Sequence, residues 1–193
     1  TVRLYRVEQG QTIRVRMNGS ITSKTARVGD TFTTTVTEPV YSFDGVTVMP
    51  IGSTVTGKIT AVTPAAKGGK PGTIDVDFVE VRTPNGRRYA ISGDLTELDS
   101  NTAKSDNEGT ASGDKMKHRK VIFIGGGGAG GAVIGGLVGG KLGAAIGAGA
   151  GALTGLIVER QTRGEEATVK ANTEFSIYLN RAVSLPKFVE PVD

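Results

Sequence analysis

Eight glycines recur on a strict period of four in the C-terminal half of the chain: Gly127, Gly131, Gly135, Gly139, Gly143, Gly147, Gly151 and Gly155. Small residues four apart leave a bare stripe on a helix, along which a second backbone can approach closely. Each helical glycine costs about 1 kcal/mol against alanine, which a lone helix in water does not recover. The spacing therefore predicts a glycine zipper over residues 121–158, packed against another helix, with these eight glycines as the self-association surface. Lys141 is the only charge in that segment. One unbroken helix would run about 57 Å at 1.5 Å per residue, nearly twice the apolar thickness of a bilayer. The economical form is a hairpin turning near Gly139, Gly140 and Lys141. Its close crossing should lie near about −40°. Ile134, Leu137, Val138, Ile146 and Leu153 then fall on the opposite stripe, to fill a core or face lipid.

The remainder has strand chemistry. Ile13, Val15 and Met17 alternate with Arg14 and Arg16, and Ile74, Val76 and Phe78 alternate with Asp75 and Asp77. That period of two marks half-buried strands. Turn signals separate the runs: Asp44-Gly45, the glycine- and lysine-rich loop 67–72, and Pro84-Asn85-Gly86; Asn-Gly and Asp-Gly supply the positive φ of hairpin turns. Residues 99–120 are polar and then basic, the composition of a linker. Strand pattern returns over 167–185, and it repeats the start: residues 7–18 line up with 169–180, with a shorter echo at 48–55. The expectation is one β domain of residues 1–98 plus 165–193, a linker at 99–120, and an insertion at 121–158. The fold class is thus mainly β, a small antiparallel barrel or sandwich, carrying a glycine-zipper α-helical hairpin.

Several chemistries find no support. The chain has no cysteine, so neither disulfides nor thiolate metal sites hold it. The net charge of +4 is spread among both signs, unlike a nucleic-acid footprint. Residues 121–130 match G-x-G-x-x-G after an apolar run, but no acid stands about twenty positions on, where ribose recognition needs one. Residues 135–141 match G-x-x-x-x-G-K, but Leu142 follows where a Ser or Thr must hold magnesium. His118 is the only histidine and lies in a basic flank, Lys115 to Lys120, of the kind that borders apolar segments. There is no G-x-S-x-G elbow, and the acids of 99–108 lack calcium-loop spacing. Arg3, Arg6, Arg14 and Arg16 are read as cross-strand partners for carboxylates. No enzyme, cofactor, metal, small-molecule substrate or nucleic acid is expected.

The turns leading into residues 12, 54 and 174 resemble the proline-x-glycine-[ST] strand starts of the TrbI-type β-barrel of type IV secretion outer-membrane channel subunits. The likeness is best at 48–62 and looser at 5–37 and 169–185. It implies a barrel with a projecting helical hairpin, and subunits ringed across the outer membrane. The glycine zipper in place of that hairpin is a departure, and is similar to small bacterial envelope proteins with two glycine-zipper helices. Together these point to a non-enzymatic structural subunit of a homo-oligomeric ring or filament, joined through the zipper. The alternative is a membrane-inserted pore or channel module of the outer membrane, with the lipid bilayer as partner. A chain opening on Thr1 fits a product freed of its signal peptide, placed in the cell envelope or outside the cell.

Overall fold

The computed structural model of the chain describes residues 2–96, 121–126, 132–136 and 163–190. In chain order its strands are β1 (Leu4–Val7), β2 (Thr12–Met17), β3 (Ile21–Thr22), β4 (Thr31–Val36), β5 (Val40–Tyr41), β6 (Thr47–Met49), β7 (Thr54–Thr63), β8 (Thr73–Arg82), β9 (Arg88–Thr96), β10 (Val121–Gly125), β11 (Ala132–Gly136), β12 (Thr168–Val169), β13 (Glu174–Leu179) and β14 (Val183–Pro186).

The repeat seen in the sequence has a backbone cause. Gly10, Gly52 and Asn172 hold φ of 91°, 86° and 68°, and each stands two residues before a strand begins, at Thr12, Thr54 and Glu174. A fourth copy, not singled out from sequence, has Gly29 at φ 95° ahead of Thr31. The left-handed residue reverses the chain so that the next strand starts in register with its neighbour.

Those four strands, with β8 and β9, make a closed barrel. The order runs β8–β7–β4–β2–β13–β9, and β9 pairs back onto β8, giving six strands. Every one of these pairings is antiparallel. The matched runs of the repeat pair directly, Ile13 against Ile177 and Val15 against Phe175, so a strand from the far end of the chain sits between β2 and β9. Closure removes the bare edges that an open sheet would present.

Alternation fills the interior. Ile13, Val15, Val55, Phe78, Val81, Phe175 and Ile177 are fully buried, while Arg16 and Glu174 point out. Phe32 meets Phe78 edge-on at 5.8 Å between ring centres, Phe78 meets Phe175 at 5.9 Å, and Phe175 meets Phe123 edge-on at 5.5 Å. The Phe32 ring lies where a Cβ on Gly57 would be, so glycine is what lets an aromatic cover the strand there. Barrels of about eight strands are just filled by side chains, and this narrower one is a solid core rather than a channel.

β7 and β8 run on past the barrel. β10 joins the free side of β8 through Phe123↔Ile74 and Ile124↔Thr73, and β11 joins β10. The ribbon of β3 and β12 lies at this same end. The ribbons of β1 with β14 and of β5 with β6 belong to the opposite end.

The expected helical hairpin is overturned. The described residues contain no helix, and residues 121–125 and 132–136, placed in its first arm by the glycine spacing, form an antiparallel strand pair. The cause is packing. Val121, Ile122, Phe123 and Ile124 carry β-branched and aromatic side chains suited to a strand. Phe123 completes the barrel's aromatic stack, and Gly126 turns at φ 121°, where no helix continues. The turn near Gly139 to Lys141 and the linker 99–120 lie outside the described residues.

Candidate functional site at the base of the glycine-rich insertion

The chain leaves the barrel at Gly125 and returns at Arg163, and both points rest on one loop, residues 64–72, between β7 and β8. Gly72 joins them: Gly125 N–H donates to the Gly72 carbonyl at 2.8 Å, and Gly72 N–H donates to the Glu165 carbonyl at 2.8 Å. Gly164 N–H donates to the Ala66 carbonyl at 2.9 Å, Lys67 bridges Arg163, and Arg163 Nε donates to the Ala65 carbonyl at 3.3 Å.

Glu166 pins this base to the rest of the barrel. Its Oε2 accepts from Ser23 Oγ at 2.5 Å and from Ala65 N–H at 3.0 Å. Ser23 Oγ in turn accepts from Ala167 N–H at 2.9 Å, and Ser23 N–H donates to the Ala167 carbonyl at 2.8 Å. The hydrogen bond from Ser23 lowers the Glu166 carboxyl below its ordinary value, helped by the Ala65 amide and by the charges of Arg163 and Lys24 against the cost of partial burial. Hydrogen bonds aimed at the ionised form favour it.

The node admits no extra atoms. A Cβ on Gly72 would strike Ser23 Oγ, one on Gly125 the Glu165 carbonyl, and one on Gly164 the Lys70 carbonyl. These three glycines stand outside the period-four series. Their signal in the sequence is position alone, at the two ends of the apolar insertion and in the loop that receives them.

Of the eight zipper glycines, Gly135 lies in β11 opposite Ile122. Gly127, Gly131, Gly139, Gly143, Gly147, Gly151 and Gly155 lie outside the described residues, as does His118. Arg14 pairs with Glu38 at 3.0 Å, and Arg6 with Glu8 at 3.0 Å; Arg3 lies 5.4 Å from the Tyr5 ring centre. Among the described residues no group of three His, Cys, Asp or Glu is placed to hold a metal ion, and no helix is long and apolar enough to cross a membrane. An open cleft of about 530 Å³ lies beside the β3 turn, lined by Ser20, Thr22, Thr25, Gly29 and Ile59, with Asp30 as its only ionisable group.

No protein-family model matches the chain, and no curated protein matches it. Among solved structures it is similar to ComB10 of the Com type IV secretion system of Helicobacter pylori, at 12% identity and a TM-score of 0.47, over 96% of this chain and 93% of that one.

Proposed function

We propose that this chain is a non-enzymatic structural subunit of a cell-envelope assembly, which joins copies of itself through the glycine-rich insertion. The observation that carries this is the base of the insertion. The chain on both sides of a mostly apolar segment, in which residues 121–158 carry Lys141 as their single charge, is fastened at one node on a solid barrel. A barrel without a channel and a segment without catalytic groups together suit presentation of a contact surface. An apolar stretch of this length calls for a partner, because contiguous exposed apolar surface marks interaction sites. The period-four glycines from Gly127 to Gly155 suit close backbone approach, and Gly135 would provide it within a strand. The envelope location follows from the resemblance of the strand starts to the TrbI-type barrel. Ring and filament are both compatible with the arrangement.

The test replaces residues 127–162 with a short Gly-Ser linker, which the shared node at Gly72 makes short to bridge. The variant is expected to keep the cooperative melt of the barrel by circular dichroism and to sediment as a monomer. The parent is expected to sediment as a regular oligomer without detergent. A parent that is monomeric at all concentrations overturns the proposal. A parent that needs detergent and floats with lipid vesicles favours the membrane-inserted reading instead.

A further inference from the structure

Among the described residues the sheet above the barrel has two edges without a neighbouring strand, and they run in opposite directions. β4 covers β7 only as far as Lys58. At Ile59 the main chain is held by Asp30 and Gly29. Residues 60–63 then have β8 alone as a neighbouring strand among the described residues, with a register shift that leaves Thr60 without an opposed residue while Ala61, Val62 and Thr63 face Asp75, Ile74 and Thr73, and Ala61 and Thr63 are exposed. At the other side, β11 pairs only with β10 among the described residues. The four strands alternate antiparallel in the order β7, β8, β10, β11, so β7 and β11 point opposite ways.

We propose that copies of this chain join edge to edge, β11 of one copy adding antiparallel to residues 60–63 of the next. This deepens the self-association reading above and rests on it. Four strands per copy is an even number, so rotation about an axis along the strands keeps the alternation unbroken from copy to copy. The edges are close in length, five residues in β11 against four in 60–63. Neither carries a charge or a proline, two of the devices that guard exposed strand edges against pairing, and the register shift of β7 on β8 between Ile59 and Ala61 marks where the uncovered edge begins. The cleft lined by Ile59, Gly29 and Thr22 opens where β4 stops, and leaves room for the end of an incoming strand. A two-fold pairing of β11 with itself would satisfy one edge and leave residues 60–63 bare in both copies. Head-to-tail pairing satisfies both and generates a ring, or a filament where the rotation does not close.

The chain has no cysteine, so introduced thiols are the only ones present. Ala61→Cys and Thr63→Cys mark one edge, Val133→Cys and Ile134→Cys the other. Opposed residues on paired strands bring Cβ atoms within disulfide reach. Mild oxidation of a mixture of the two kinds of full-length variant is expected to give mixed dimers. A chain carrying one thiol of each kind is expected to give a ladder of higher oligomers. Covalent dimers formed only between two Val133→Cys chains would show the two-fold pairing and overturn the proposal. Absence of cross-links in a protein that still sediments as an oligomer would overturn the edge pairing and leave self-association standing. A parent that is monomeric overturns both. Ala61→Pro provides the second arm: proline guards a strand edge against pairing, so it should abolish the oligomer while the circular dichroism melt of the barrel persists. An Ala61→Pro chain that melts like the parent and still assembles would count against the edge.

Discussion

Glu166 is the residue on which the base of the insertion turns. Its carboxylate takes two hydrogen bonds that connect the β3 turn, the 64–72 loop and the returning chain. Its acidity is raised mainly by Ser23, so the ionised form is favoured in the folded state. A carboxyl with a lowered folded pKa stabilises the fold fully above its unfolded value, about 4.3. That contribution is lost as pH falls through the lowered folded value. Glu166→Gln keeps the shape and removes the charge. Chemical denaturation should show the parent more stable than Glu166→Gln at pH 6–7, with the gap closing below about pH 4. A gap of constant size from pH 7 to pH 3 would remove the charged carboxylate from the account. The steric role of the glycines around it left no pattern in the sequence for a simple reason. Gly72 and Gly164 need to be small because of atoms far along the chain, Ser23 and Lys70, and no local pattern records such contacts.

At the scale of elements, the strands were legible and the insertion was misread. Ile13, Val15 and Met17 alternate with arginines because one face is buried and the other is wet, and that period survives into the structure unchanged. β10 has no such alternation: Ile122, Phe123, Ile124 and Gly125 are all buried. A short continuous apolar run has no period to separate strand from helix, and the glycines beyond it suggested a helix. What decided it was β8, whose free side at Thr73 and Ile74 offered main-chain hydrogen bonds, and Phe175, whose ring offered Phe123 a seat. If β10 is part of the barrel's core, Phe123→Ala should cost about 3–5 kcal/mol, read as a lower denaturant midpoint. A variant that unfolds like the parent would show that β10 only lies on the surface.

For the whole molecule, closure is the property that matters. β13 supplies the strand between β2 and β9, so the barrel cannot close until the chain has passed through the insertion and come back. A chain stopped at residue 164 should therefore lose the cooperative melt of the entire β domain, seen by circular dichroism and by collapse of amide dispersion in NMR spectra. A truncated chain with a native melt would mean that β2 and β9 can close without it. The sequence by itself determined the alternating strands, their inward faces and the tight turns that lead into residues 12, 54 and 174, because period and turn chemistry are local. It also matched β2 and β13 as copies, since each follows the same kind of turn. Only the tertiary structure decided that six strands close into a solid barrel, that residues 121–125 and 132–136 form a strand pair, and that Gly72 ties both ends of the insertion together. Those outcomes rest on hydrogen bonds and packing between residues distant along the chain, and such partners exist only once the chain has folded.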